Sequence, residues 1–271
     1  ATISSSGLKG LRGAVRSICG MTHWAVLIAI VLPRMSFGQS TAPLSTFDVE
    51  RLSLDPAASG SLVVGTGRLL KGGDLRVGAA LHYAKDPLVV YQFGQKIGGI
   101  LNHRFNVNIG AAYGLHDRVE LGLTMPALFA QAGDDMSAYG VRSPSTLGLG
   151  TPWLHTRFGV LGTAWRAPLD LSVALALGLP VGSVGGLSRD DGLLFSPRIE
   201  LGRALGPVIL GADLGVLFRP ATTLGGSNIG NHFGAGFTVA THTGRLRGEL
   251  SWRGQFEFNG TPSNEILAGG R

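Results

Sequence analysis

Strict alternation of large apolar and small or polar residues dominates the chain after its first forty positions. In Leu169–Leu179 every odd position is a large aliphatic, and every even position is Asp, Ser, Ala or Gly. From 245 to 258, Leu246, Leu250, Trp252, Phe256 and Phe258 share one face, and Arg245, Arg247, Glu249, Ser251, Arg253, Gln255 and Glu257 share the other. A period of two is the mark of a β-strand with two unlike faces. The pattern predicts strands near 46–54, 60–70, 74–84, 105–115, 118–130, 149–161, 169–179, 193–203, 207–218, 231–241, 244–257 and from 264 onward. Thr46–Leu54 alternates poorly and reads equally as a lead-in. Most of these segments exceed the five or six residues of an ordinary soluble strand and match the roughly 9–11 that cross a bilayer at a tilt. One face is too polar for the core of a sandwich, and the other is too continuously apolar for water. A lipid-facing exterior around a polar or glycine-lined interior accommodates both.

The connections support this reading. Lys71–Asp74, His116–Asp117, Thr163–Pro168, Ala204–Gly206 and Thr241–Gly244 are short, whereas Lys85–Arg104, Ala132–Gly148, Pro180–Gly192 and Arg219–Gly230 are long, and the two kinds alternate. Outer-membrane barrels pair short periplasmic turns with longer external loops. The expected fold is all-β, a transmembrane antiparallel up-and-down barrel of about 12–14 strands. The last segment, Asn264–Arg271, begins as a strand and stops, so the barrel is expected to be incomplete at this C-terminus, because an open edge is not tolerated in lipid.

The first 38 residues read differently. Lys9, Arg12 and Arg16 precede the uncharged run Trp24–Leu32, followed by Ser36 and Gly38 at the positions that favour cleavage. The run is far short of the roughly 20 residues of a spanning helix. It reads as a secretory signal over 1–38, followed by a lead-in or first strand over 39–59 and a barrel over 60–271. The first residue is Ala1 rather than Met, which points to a mis-set start or a fragment.

The signal also reinterprets the charge. The formal +6 invites a nucleic-acid reading, but residues 1–38 hold four of the 23 basic residues and none of the 17 acidic ones. The remainder is +2, and no nucleic-acid partner is expected. Cys19, the one cysteine, lies in the signal, so disulfide frameworks and zinc ribbons are excluded. Glycine, at 43 residues, is about twice its usual share, which disfavours long helices.

Several stretches carry a resemblance: Phe47–Arg51, Gly60–Gly67, His82–Tyr91, Glu120–Pro126, Gly133–Asp135, Gly148–Pro152, Gly178–Ser183 and Arg247–Leu250. Over 47–271 the chain resembles the N-terminal barrel of a family of outer-membrane proteins common in myxobacteria. The typical member continues into acidic calcium-type repeats and an OmpA-like peptidoglycan-binding domain. The family's peptidoglycan-binding residues have no counterpart here. The resemblance implies a cell outer membrane location and an envelope anchor in a Gram-negative cell. The implied partners are membrane lipid, lipopolysaccharide and, through a domain absent from these residues, peptidoglycan.

Candidate chemistry is sparse. Asp134-Asp135 and Asp190-Asp191 fall in predicted external loops, and His232 begins a strand at the same end, a pattern compatible with water activation at a rim. Asp pairs in glycine-rich loops are more simply turn formers and solvated charge. His155 and Ser172 lie on different predicted strands with no third group to form a lipase-type site. The histidines show no metal-ligand spacing, and Gly65-Thr-Gly67 and Gly148-Leu-Gly150 lack the context of a phosphate loop. No catalytic, cofactor or metal site is therefore assigned, and the chain is not expected to be an enzyme. The polar register of the barrel places Arg76, Arg118, Glu120, Arg157, Asp170, Arg198, Glu200, Asp213, Arg245, Arg247, Glu249, Arg253 and Glu257 toward the lumen. With both signs present they can cross-pair and plug a narrow barrel, the favoured expectation, or line a porin-like pore. The leading functional expectation is an envelope anchor. A passive pore or small-solute transporter comes second, and a rim hydrolase third.

Overall fold

A computed structural model describes residues 47–50, 52–92, 94–135, 143–224, 227–241, 243, 246–258 and 263–270. The expected signal segment lies outside the described residues, as does Arg245. The fold is all-β. The strands are β1 (Leu75–Gln92), β2 (Gln95–His116), β3 (Val119–Ala132), β4 (Gly148–Leu149), β5 (Trp153–Leu161), β6 (Asp170–Gly178), β7 (Leu194–Leu205), β8 (Val208–Leu217), β9 (Thr222–Leu224), β10 (Ser227–Ile229), β11 (His232–Thr241), β12 (Gly248–Glu257) and β13 (Ser263–Gly270). One antiparallel sheet runs β1-β2-β3-β5-β6-β7-β8-β11-β12-β13 with no crossover; β4 pairs with β3, and β9 pairs with β10 in a small separate hairpin. Sequential antiparallel pairing throughout is up-and-down topology. The described residues hold ten strands on this path rather than 12–14.

The two faces of the sheet follow the alternation. On β6, Asp170, Ser172, Ala174 and Ala176 are buried, while Val173, Leu175 and Leu177 are exposed. The same outward apolar belt continues through Leu81 and Tyr83 on β1, Ile109 on β2, Leu123 on β3, Phe158 on β5, Ile199 on β7, Phe237 on β11 and Ile266 on β13. A sheet that exposes its large side chains and buries its polar ones is inverted relative to a soluble protein. Lipid is the solvent for which that inversion is favourable.

Two expectations are corrected here. Lys85–Arg104 is not a loop. β1 and β2 stay paired from Leu75↔Tyr113 to Gln92↔Gln95 and so form an extended hairpin, with register shifts between Lys85 and Leu88, at Leu88/Val89 and at Val90/Tyr91. The turn is closed by Gly94 at φ +79°. The region misreads as a loop because the bulges interrupt its alternation.

Nor is there a strand over 60–70. The described residues of 47–70 form no regular element. They run inside the curved sheet, with Ala57, Ser61, Val64 and Thr66 all at 0% exposure. The segment contacts Phe47's cluster with Ile100, Leu101 and Leu187 at the long-loop end. It leaves at the short-turn end, where the Gly72 N–H donates to Asp117 Oδ1 (2.9 Å) and the Gly73 N–H to the Gly114 carbonyl (2.7 Å). It therefore threads the barrel from one mouth to the other and then turns back as β1.

Candidate functional site

An irregular segment leaves its backbone N–H groups without ladder partners, and inside a membrane fold each must find an acceptor. Inward carboxylates supply them. The Leu62 N–H donates to Glu249 (2.6 Å), the Gly65 N–H to Asp213 (2.8 Å) and the Leu70 N–H to Glu120 (2.8 Å). Ser61 Oγ adds a second bond to Glu249 at 3.2 Å. From the other side, Arg76 donates to the Ala57 carbonyl (3.1 Å) and Arg253 to the Ser53 carbonyl (3.2 Å). The acceptors span β3, β8 and β12, and the arginines sit on β1 and β12, so nearly the whole sheet grips the segment.

The centre of the grip is Arg157 on β5, 2% exposed. Its guanidinium meets Asp55 of the segment at 3.0 Å, Glu120 of β3 at 3.0 Å and Glu200 of β7 at 2.5 Å. One cation thus faces three buried carboxylates. Ser172 Oγ donates to Glu200 (2.9 Å), and the Ala57 N–H donates to Asp55 (3.0 Å).

A second tie lies nearer the long-loop mouth. Glu50 accepts from Asn106, lies 3.4 Å from His82 Nδ1, and has Arg104 Nε at 3.9 Å. Arg104 also donates to the Gly186 and Leu187 carbonyls (3.1 and 3.3 Å) and to Ser188 Oγ (2.8 Å), folding the β6–β7 loop inward. Arg219 bridges Asp190 (2.5 Å) and the Asp48 carbonyl (3.4 Å). Burial pushes the Asp48 carboxyl up to about 6, against the Glu50 N–H and Arg104.

Close approach requires glycine in two places. Gly67 has φ +68°, a conformation that disfavours any side chain, and a Cβ there would lie 2.7 Å from the Asp170 carbonyl oxygen. A Cβ on Gly202 of β7 would collide with the Thr66 carbonyl. Interior glycine is thus space for the inner segment.

The predicted lumen charges divide accordingly. Glu120, Arg157 and Glu200 form one cluster, and Arg76, Asp213, Glu249 and Arg253 hold the inner segment. Asp170 accepts from the Thr163 N–H at 2.6 Å and fixes the β5–β6 turn. Arg198, Glu257 and Arg247 line the remaining space at different heights. Arg118 is misplaced by the register: it is exposed at the β2–β3 turn and stacks on Trp165 at 4.5 Å. Sequence reasoning assigned no role to Asp48, Glu50 and Asp55, which are on the threading segment, or to Arg104 and Arg219, and it placed Asp190 in a solvated rim pair rather than against Arg219. For Asp48 and Glu50 the signal was the broken alternation of 46–54, dense in charge yet matching no strand.

The rim chemistry is not assembled. Asp134 accepts from the Gly99 N–H (2.7 Å) and Asn102 (2.8 Å), and Asp190 is held by Arg219. Ser172 pairs across to Gly159, and His155 to Ala176, so the two lie four residues apart along the ladder. Among the described residues no group of three or more His, Cys, Asp or Glu is arranged to hold a metal.

No family model and no curated protein matches the chain. Among solved structures it is similar to an outer-membrane channel from Pseudomonas putida F1, at 15% identity and TM-score 0.51, over 79% of each chain. This is a likeness of fold: a barrel-type sheet of the outer-membrane kind.

Proposed function

We propose that the chain is an outer-membrane channel of a Gram-negative envelope, closed by its own residues 47–70. The observation that carries this reading is the polar inner wall, built as a permeation path is built, with Asp55 of the threading segment locked to Arg157 at its centre. The channel fold of the solved neighbour supports it. Conductance in planar bilayers tests it. The wild-type protein is expected to be mostly silent with rare openings. Gly202→Val, which drives the inner segment off β7, is expected to give stable single-channel steps. A variant that folds and remains silent would overturn the channel reading.

The filled lumen also favours a second reading, that of a surface-exposed envelope anchor that need not conduct. In that case the gene product continues into an OmpA-type domain that holds peptidoglycan. An open reading frame ending soon after the barrel, with no such domain, would remove it.

A further inference from the structure

The two mouths of the barrel differ in charge. The short-turn end exposes Arg68 where the inner segment leaves, Lys71 ahead of β1, Arg118 between β2 and β3, Arg166 between β5 and β6, and Arg203 near the end of β7. The exposed acids at this end are Asp74 and Asp117, and Asp117 accepts the Gly72 N–H at 2.9 Å. Two further acids lie just inside: buried Asp170 accepts from Thr163, and half-buried Glu249 from Leu62. Arg76 and half-buried Arg247, beside the inner segment, stand against them. None of the five exposed cations takes part in an ion pair among the described residues. The long-loop end has the opposite balance. It exposes Asp134, Asp135 and Asp191 against Lys85 and Lys96, and Lys96 is paired with Asp86. Every Asp and Glu of the sequence lies among the described residues, so no acidic side chain outside them offsets the basic rim.

The basic rim follows directly on the outward apolar belt. Leu75, Leu115, Leu161 and Leu205 are exposed at this end of their strands. Lys71, Arg118, Arg166 and Arg203 lie respectively just before or after them in the chain. Arg203 distinguishes between partners. It shares the outward face of β7 with Ile199 and Leu201 and stands opposite Leu210 of β8. That face meets the lipid around the barrel and not a molecule docked beneath its opening. Long basic side chains at the edge of an apolar belt lay their stems on the hydrocarbon and carry their charge to the headgroups. Positive charge at that depth is attracted to an anionic leaflet.

We propose that the short-turn rim is a binding surface for anionic phospholipid headgroups, with Arg118, Arg166 and Arg203 as its main contacts. Guanidinium groups suit the phosphate oxygens because their planar forks make paired N–H···O contacts, and Lys71 adds a point charge. The long-loop rim lacks the basic excess and has no such preference, so the two ends of the barrel are matched to different leaflets. The surface is independent of whether the barrel conducts.

The test is native mass spectrometry of the folded barrel released from neutral detergent. Dioleoylphosphatidylglycerol is added in one arm, dioleoylphosphatidylcholine in a second and poly-glutamate in a third. The two lipids have identical chains, so a difference between them reads the headgroup. The wild type is expected to retain the glycerol lipid at about tenfold lower concentration than the choline lipid. R118Q/R166Q/R203Q is expected to abolish most of that preference, and R118K/R166K/R203K to keep most of it. R203Q alone, which removes the outward charge, is expected to lower it in part, so the surface stays testable if the triple variant fails to fold. K85Q/K96Q, at the other mouth, is expected to leave it unchanged. Equal retention of both lipids by the wild type, or a preference undiminished in every folded Gln variant of the rim, would overturn the surface. So would an equal loss in K85Q/K96Q, which would make the effect one of total charge. Poly-glutamate bound without a preference between the lipids would overturn it in favour of an acidic protein partner.

Discussion

At the scale of single residues, Arg157 is the position on which the interior depends. Its three carboxylate partners are all buried. Removing the cation leaves their charge uncompensated, which typically costs about 3–5 kcal/mol. Arg157→Ala is expected to loosen the inner segment and lower the unfolding midpoint in denaturant, measured by the heat-shifted mobility of the folded band. A midpoint equal to that of the wild type would show that the cluster is neutral to stability. Asp48 sets a pH dependence. Its carboxyl sits at about 6 in the folded protein against an ordinary 3.8. The docked segment then binds more protons than the free one. The stabilising contribution is full below pH 3.8 and is lost as pH rises through about 6. Asp190, in the β6–β7 loop, is pushed in the same direction by burial. Amide hydrogen exchange over 47–54 is expected to quicken between pH 4 and 7 beyond the intrinsic rate, and Asp48→Asn is expected to flatten that excess.

At the scale of elements, the strands follow from the alternation because lipid outside and a polar interior enforce opposite chemistry on adjacent positions. The expected segments 118–130, 169–179, 193–203, 207–218 and 231–241 all overlie observed strands to within a few residues. The belt they form makes a direct prediction. Leu175 points outward at the middle of β6, opposite Thr156 and Pro197. Leu175→Arg is expected to destabilise the folded barrel by about 2–4 kcal/mol in lipid, as cations do at the bilayer midplane. Folding titrations in liposomes check this, with Leu175→Ala as the smaller control. What the alternation does not encode is the threading segment. Residues 47–70 hold apolar Val63 and Val64 beside Ser61, Gly65 and Thr66, which is strand-like composition. Their partners are backbone-to-carboxylate bonds separated by as many as 187 positions in the chain. Such bonds leave no local period. The inward charges were legible one by one from their register. Their common purpose, to bind an inner segment, was not, since half of each pair lies on a stretch with no regular structure.

At the scale of the whole molecule, the threading segment decides whether the inner wall is a path or a filled core, and the chain allows a clean mechanical test. Cys19 is its one cysteine and lies in the expected signal, so introduced thiols in the barrel have no native competitor. Gly110 on β2 faces Pro56 of the segment: a Cβ on Gly110 would stand 3.5 Å from the Pro56 Cα. That approach is compatible with the roughly 4.4–6.8 Å Cα separation a disulfide needs. Pro56→Cys with Gly110→Cys is therefore expected to form a bond under oxidising conditions and pin the segment to the wall. If the segment is a movable plug, the oxidised protein shows no openings at any pH, and reduction restores the rare openings of the wild type. If oxidised and reduced forms conduct alike, ions pass beside a static segment. In that case its contribution is to stiffen the sheet and not to close it.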